Sequence, residues 1–295
     1  MKLAVFDNHR VGLVEGDELY DVTDVVPGAS AAWPPVYMTR LIVDWAEMRP
    51  KLLEARETAC RLSRGEVRLR SPMPFTGNIV AAPANYRKHV GELGERGIVK
   101  AGNTPDQIGF FLKATSSLVG PDDAIELPRG SMRRFDHESE LAVIIGRTAR
   151  NVRREQALNY IFGYSCLIDV SMRLEPGQVA EERVTRKSFD TFTPLGPWIV
   201  TADEIPDPQE LSNQLWVNDQ LRQDANTRDM SVNVAGLIEL ITSVMTLQPG
   251  DVIATGTPEG VGPIKAGDRV RIAIEKVGDM TIKVRETEEQ SPRVF

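Results

Sequence analysis

The chain has 295 residues, of which 41% are hydrophobic and 26% charged, which is typical of a folded globular protein with a substantial core. Its 35 Lys and Arg against 42 Asp and Glu give a formal net charge of −7, and without a concentrated basic segment this argues against a nucleic-acid partner. Neither a signal-peptide pattern nor a run of about 18 apolar residues occurs, so we expect no membrane partner and a cytoplasmic location.

The N-terminal segment predicts a small α+β unit. Three short β-like runs separated by turns predict a hairpin unit: "KLAVFD", "VGLVEG" and "ELYDVTDVV". Apolar residues then recur at helical spacing from Met38 to Arg61, and Pro50 is expected to end or kink the first helix. A Gly- and Pro-containing connector follows. We therefore predict a small N-terminal domain over residues 1–72 and a catalytic domain over residues 73–295.

The larger segment is predicted to be mainly β. Its Val- and Ile-rich runs are short and bounded by turn residues: "IVAAP", "GFFLKATSSLV", "ELAVIIG", "IFGYSCLIDVS", "PWIVT", "DVIATG" and "DRVRIAIEKVGDMTIKV". Three segments have helical composition: "NYRKHVGELGER", "VRREQALNY" and "VNVAGLIELITSVMTL". This order predicts a mixed α+β fold, mainly β, with peripheral helices instead of a regular βαβ repeat.

Two glutamates stand at the start of a strand that is predicted to be buried, "HESELAVIIG". Because side chains at i and i+2 of a strand point the same way, Glu138 and Glu140 should face one side, and His137 and Ser139 the other. Two adjacent anions beside an apolar run would raise the pKa of one of them or require a cation between them. The alternative is an exposed strand end with two solvated glutamates.

A third carboxylate, Asp169, follows about thirty residues later in the apolar run "GYSCLIDVSMR". An unpaired aspartate there would be costly, although it could also cap the end of the strand. Cys60 and Cys166 lack metal-site spacing and are predicted to be buried, inert thiols, and the three histidines are scattered. A metal site would therefore use oxygen ligands, with Mg²⁺ the first choice and Mn²⁺ or Ca²⁺ possible.

Six segments occur in the order typical of one enzyme family: "ANYRKHVGE", "HESELAVIIG", "GYSCLIDVSMR", "RKSFDTFTPLGPWIVT", "VNDQLRQDANTRDM" and "LQPGDVIATGTPEGVGP". Over roughly residues 75 to 285 the chain resembles the fumarylacetoacetate hydrolase family. The resemblance implies a fumarylacetoacetase-type mixed β-roll behind the small N-terminal domain, and a homodimer. It also implies that Glu138, Glu140 and Asp169 are metal ligands.

The same resemblance implies a catalytic group of three residues. Lys187 matches the family's lysine near the metal-bound substrate, whereas alone it would be read as a solvated surface lysine. "HVGE" is similar to the His-x-x-Glu of members that hydrolyse or decarboxylate acylpyruvate-like acids. Since i and i+3 are neighbours on a helix, Glu92 could orient His89 as a base that activates water. A chance acidic neighbour is the alternative.

Four further residues are implied to bind substrate. Gly256 and Thr257 lie in "ATGTPEGVG", which is similar to the family's glycine-rich loop and could donate to a substrate carboxylate, or could be an ordinary tight turn. Tyr86 and Arg87 follow Pro83-Ala84, where many members carry Gly-Arg or Gly-Leu. An arginine is therefore missing, and its place could be taken by one of three others: Arg87, Arg173 or Arg186.

These residues imply a metal-dependent hydrolase that cleaves a carbon–carbon bond in a 1,3-dicarbonyl or acylpyruvate-type keto acid. Decarboxylation, isomerisation and dehydration pass through a similar stabilised anion and stay open as alternatives. A binding protein that has lost activity is the alternative from a different class.

Overall fold

The structure is a computed structural model that describes residues 1–30, 33–89, 91, 104–174 and 182–289. The strands within these residues are β1 (Lys2–Phe6), β2 (Arg10–Glu15), β3 (Glu18–Asp21), β4 (Cys60–Ser63), β5 (Leu69–Arg70), β6 (Ile79–Ala81), β7 (Phe111–Lys113), β8 (Leu118–Val119), β9 (Ala124–Leu127), β10 (Phe135–His137), β11 (Ser139–Ile145), β12 (Ile161–Ile168), β13 (Ser171–Met172), β14 (Thr193–Thr201), β15 (Ser212–Val217), β16 (Gln220–Asn226), β17 (Val252–Ala254), β18 (Gly262–Ile264), β19 (Arg269–Ile274) and β20 (Gly278–Glu286).

Helices are fewer and mostly peripheral. The α-helices are α1 (Tyr37–Val43), α2 (Trp45–Arg56), α3 (Pro105–Ile108), α4 (Arg183–Lys187) and α5 (Val234–Val244). Residues 87–89 are also helical, and the predicted helix "VRREQALNY" is a 3-10 helix over Arg154–Tyr160. Among the described helices, none has the length and apolar character needed to cross a membrane.

One twelve-stranded sheet joins the N-terminal segment to the larger segment. Its main order is β4-β3-β2-β1-β14-β12-β11-β17-β6-β7. The predicted N-terminal hairpin is present, and β1 continues it into the larger segment by pairing antiparallel with β14. The N-terminal segment therefore builds onto the same sheet as the rest of the chain, and the division at residue 72 stays a prediction.

The middle of this sheet is covered on both faces. Every residue of β11, β12 and β14 is buried, which explains why these strands have nearly continuous apolar sequence instead of an alternating pattern. A five-stranded sheet, β16-β15-β19-β20-β9, packs with one face inward, as its alternating burial shows, and a three-stranded sheet, β13-β10-β18, completes the fold. The predicted mixed α+β fold, mainly β, is confirmed.

Two local predictions were wrong. The helix break lies at Asp44, whose φ of −92° and ψ of 19° end α1, and its carbonyl accepts from the first turn of α2. Pro50 lies inside α2, which continues through it to Arg56, so the loss of its backbone donor and the clash of its ring do not end the helix there. Cys166 is buried as predicted, but Cys60 is exposed because it begins the edge strand β4.

Candidate metal centre

Three carboxylates meet where β11 and β12 run side by side. Glu138 lies between β10 and β11, Glu140 is the second residue of β11, and Asp169 directly follows β12. The antiparallel register pairs Ser139 with Ile168, and the Asp169 N–H donates to the Glu138 carbonyl at 2.9 Å. One carboxylate oxygen from each of the three side chains lies within 4.8 Å of the other two, and all three residues are buried. A solvated strand end is therefore excluded.

The alternation of side chains continues through the junction between β10 and β11. His137 and Ser139 contact a different set of residues from the two glutamates. His137 Nδ1 lies 3.2 Å from Gln223 Oε1, which also accepts from the Ser139 N–H at 3.0 Å, and the Ser139 hydroxyl donates to Asn213. The glutamates thus share one side of the strand, as its period of two requires.

Lys187 ends α4 and points its ammonium group into this cluster. Its Nζ donates to Glu138 Oε2 at 2.7 Å and to Asp169 Oδ2 and Ser171 Oγ at 2.5 Å each. Burial opposes the charged form, but the carboxylates of Asp169 and Glu138 outweigh it and raise the pKa of Lys187. The reading of Lys187 as a solvated surface lysine is thereby excluded.

Two further cations belong to the cluster, and sequence analysis did not assign either to the metal centre. Lys113 ends β7, is fully buried, and donates to Asp169 and to the Phe192 carbonyl, the latter at 2.9 Å. A single lysine in the apolar run "GFFLKATSS" was the available signal. Arg173, considered only as a substitute for the missing substrate arginine, donates to Glu138 Oε1 at 2.6 Å and to Asp136 at 2.7 Å.

The cations are shared unevenly among the three carboxylates. Lys187 and Arg173 bind Glu138 and, despite burial, hold its pKa well below the usual range. Glu140 forms no ion pair with a lysine or arginine of the described residues. Burial, Asp169 and Glu138 raise the pKa of Glu140 well above its ordinary value. An all-oxygen donor set with one uncompensated anion fits a divalent cation with hard-ligand preference.

The glycine-rich loop after β17 supports Glu140. The Gly256 N–H donates to Glu140 Oε2 at 2.7 Å. Gly256 has a φ of +96°, and a Cβ there would lie 2.5 Å from Asn85 Cβ, so the close approach requires glycine. Thr257 is buried and its hydroxyl accepts from Gln223 Nε2 at 2.8 Å. The loop therefore reaches the carboxylate cluster. Its Gly256 N–H, however, donates to Glu140 of the protein, whereas the sequence analysis expected the loop to donate to a substrate carboxylate.

The predicted residues of the "NYRKHVGE" segment divide between two places. His89 is buried, and its electrostatic interaction with Glu138 places it near that carboxylate. Tyr86 is fully buried, with its hydroxyl near Asn213. Arg87 is exposed and lines a separate cavity of about 700 Å³, whose lining includes none of the three carboxylates. Glu92 lies outside the described residues.

Comparisons with known proteins agree with this geometry. The family model described as fumarylacetoacetate (FAA) hydrolase C-terminal matches residues 78–285. The chain belongs to the fumarylacetoacetate hydrolase family. As a member, it is a hydrolase of the fumarylacetoacetate hydrolase type.

Several relatives in the family have names or solved structures. Maleylpyruvate hydrolase of Aquipseudomonas alcaligenes is 43% identical over 97% of this chain and 99% of the relative. The structure of maleylpyruvate hydrolase from Sphingobium sp. SYK-6, in complex with manganese(II) and pyruvate, has a TM-score of 0.86 and 46% identity over 98% of this chain and all of that chain. A 5-carboxymethyl-2-hydroxymuconate delta-isomerase from Mycobacterium smegmatis is less similar, with a TM-score of 0.72 and 30% identity over 97% of this chain and all of that chain.

The raised pKa of Glu140 predicts how metal affinity in this family member depends on pH. In the metal-free protein a proton on Glu140 competes with the cation, so affinity should weaken as pH falls through that raised pKa. While Glu140 is protonated, the affinity should change about tenfold per pH unit, with one proton released per ion bound. Calorimetric titration with Mn²⁺ at several pH values, in buffers of different ionisation enthalpy, measures both quantities. An affinity independent of pH, without proton release, would contradict this prediction.

Proposed function

We propose that this protein is a divalent-metal-dependent acylpyruvate hydrolase, which adds water across the bond between an acyl carbon and the pyruvate methylene. The products are a carboxylic acid and pyruvate. The observation that carries the proposal is the convergence of Glu138, Glu140 and Asp169 on one site, with the Lys187 ammonium bound to the first and the last of them. The similarity over nearly the whole chain to two maleylpyruvate hydrolases, one of them solved with manganese and pyruvate, supports it.

The cation is proposed to bind Glu138, Glu140 and Asp169. Mg²⁺ is our first choice because it accepts few protein ligands and recruits substrate oxygens, and Mn²⁺ and Ca²⁺ suit the same donors. When bound, such an ion supplies a Lewis acid for the keto-acid oxygens. Lys187 and Arg173 lower the pKa of Glu138 and so favour the charged form that binds a cation, and Lys113 and Lys187 form ion pairs with Asp169.

Lys187 is proposed to stabilise the charge that develops on the substrate. When the carbon–carbon bond breaks, its electron pair passes to the pyruvate fragment as an enolate. Three hydrogen bonds fix the Lys187 ammonium in place, and because they use all three of its donors it would act on the enolate through its charge or by exchanging one of these bonds. Asp169 and Glu138 raise the pKa of Lys187, which favours its charged form.

His89 is proposed to act as the general base. It would accept a proton from the water whose oxygen attacks the acyl carbonyl, and would return that proton to the methylene carbon of the enolate. Its burial beside Glu138 supports this position. Glu92 is proposed to orient the other ring nitrogen.

Thr257 is proposed to hold the keto-acid carboxylate. Its hydroxyl oxygen accepts from Gln223 Nε2, which leaves the O–H able to donate to substrate. Gly256 is proposed to contribute the close backbone approach, and Tyr86 and Arg87 stay predictions as substrate contacts.

The proposal is tested by incubating the purified protein with acetylpyruvate and with an acylpyruvate that carries a terminal carboxylate, in Mg²⁺, Mn²⁺ or EDTA. Loss of the enol absorbance with equimolar pyruvate formation, dependent on the metal, is the expected result. Release of CO₂ or a change of absorbance without pyruvate would instead indicate a decarboxylase or an isomerase. Tight binding without any product would indicate an inactive binding protein.

The variant His89→Gln should distinguish the loss of the general base from the loss of the metal site. We expect kcat to fall by about 10²–10⁴-fold, because proton transfer is lost, while the affinity for Mn²⁺ stays unchanged. His9→Gln is the matched control, since His9 contacts Tyr37 in the N-terminal segment. If His89→Gln keeps wild-type kcat, another residue is the base.

A homodimer and a cytoplasmic location belong to the same proposal and are supported by the family resemblance and the composition. Light scattering coupled to size-exclusion chromatography tests the first, and fractionation of the producing cells tests the second.

A further inference from the structure

Two cations on α4 share one aromatic ring. Arg183 begins this helix and Lys187 ends it, so the two are neighbours at i and i+4, with Cβ atoms about 5–6 Å apart. The Arg183 guanidinium carbon lies 5.9 Å from the centroid of the Phe111 ring, and Lys187 Nζ lies 5.4 Å from the same centroid. Both distances are within the range of a cation–π contact. Arg183 therefore contacts the same ring as Lys187, whose ammonium group binds Glu138 and Asp169.

The surroundings of Arg183 differ from those of Arg173. Arg173 is bonded to Asp136 and Glu138, which raise its pKa in spite of burial. Arg183 is half-buried, and within the described part of the chain it has no hydrogen bond or ion pair. Burial lowers the pKa of Arg183, and the charges of Glu138 and Glu182 only partly oppose this effect. Arg183 thus carries a desolvation cost that an incoming anion would offset.

Lys187, Phe111 and Arg183 offer two cations and an apolar ring, which match the two carboxylates and the carbon chain of a dicarboxylic acid. Lys187 and the three carboxylates lie where the pyruvate half of an acylpyruvate is proposed to bind. Phe111 offers an apolar surface for the carbon chain of the acyl arm, and the Arg183 guanidinium lies against the same ring. Arginine binds carboxylates through two parallel N–H donors.

We infer that Arg183 binds a second carboxylate, at the end of the acyl arm, so that the enzyme prefers dianionic acylpyruvates to those with an uncharged acyl group. This inference rests on the proposed acylpyruvate hydrolase function. It makes Arg183 a residue that determines specificity, separate from the centre where the bond is broken.

The test compares Arg183→Gln with wild type on two substrates, maleylpyruvate, which has a terminal carboxylate, and acetylpyruvate, which has none. We expect kcat/KM for maleylpyruvate to fall about 10–100-fold, mainly through KM, because a charge-assisted hydrogen bond is lost. The value for acetylpyruvate should stay within about twofold, and Arg183→Lys should recover part of the loss with maleylpyruvate. Mn²⁺ affinity and thermal unfolding should not change.

Arg147→Gln is the matched control. Arg147 stands over the Tyr160 ring at 4.4 Å and is exposed, so the variant removes the same charge from a similar contact elsewhere and should leave both substrates unaffected. Equal losses on both substrates, or no loss on either, would overturn the inference. Wild-type cleavage of acetylpyruvate but not of maleylpyruvate would overturn it and leave the proposed function standing. No cleavage of either would overturn both.

Discussion

Glu140→Gln is expected to abolish metal binding without weakening the metal-free fold. Glu140 is the carboxylate of the cluster that has no lysine or arginine partner among the described residues, and its raised pKa reflects that deficit. Glutamine has the same shape, and its side-chain oxygen can still accept from the Gly256 N–H. The variant therefore removes one metal ligand together with a buried carboxyl group that has no cationic partner of its own.

The expected effects are large and have different signs. Mn²⁺ affinity should fall at least about 100-fold, and kcat/KM by about 10²–10³-fold or more. The free energy of unfolding without metal should equal or exceed that of wild type. Calorimetry, the acylpyruvate assay and urea unfolding in EDTA measure the three quantities.

Glu286→Gln provides the matched control for this variant, since Glu286 is an exposed glutamate at the end of β20. It should behave as wild type in all three measurements. If Glu140→Gln instead binds Mn²⁺ normally and unfolds more easily in EDTA, the carboxylate has a structural role and the proposed metal centre is wrong.

Lys113→Met should have the largest effect on stability. Lys113 is fully buried, and its ammonium group binds the Asp169 carboxylate and the Phe192 carbonyl. Methionine retains the apolar stem but leaves Asp169 with Lys187 as its remaining cation. Breaking a buried pair by removing one partner typically costs about 3–5 kcal/mol of unfolding free energy. Urea unfolding in EDTA should show a loss of this size.

Addition of Mn²⁺ should restore part of that loss, because the cation compensates the same carboxylates. Lys283→Met is the control, since Lys283 is exposed on β20 and its replacement should change stability by less than about 0.5 kcal/mol. If Lys113→Met unfolds at the wild-type urea concentration, the ion pair between Lys113 and Asp169 does not stabilise the fold.

Local patterns along the chain were sufficient for several features. Alternation with a period of two places Glu138 and Glu140 on one side of β11, and the long apolar periodic run predicts α5. The Val- and Ile-rich runs predict the strands of the central sheet. These features depend on interactions between near neighbours in the sequence, so each can be read from its own segment. The apolar run around Asp169 made it the third candidate carboxylate, and the family resemblance added Lys187, which no local rule connects to the glutamates.

Only the tertiary structure showed how the charges of the centre are balanced. Lys113 reaches Asp169 across 56 residues, and the Gly256 N–H reaches Glu140 across 116. Arg183 and Lys187 of helix α4 both contact Phe111, which lies on strand β7. The helix break at Asp44 instead of Pro50 likewise depended on the conformation that α1 and α2 adopt in the packed fold. The sequence by itself determined which residue types could bind a cation and the side of the strand that carries them. The pairing of each carboxylate with a particular cation was decided by strand register and packing, because electrostatic energy depends on distances in space between groups that lie far apart along the chain.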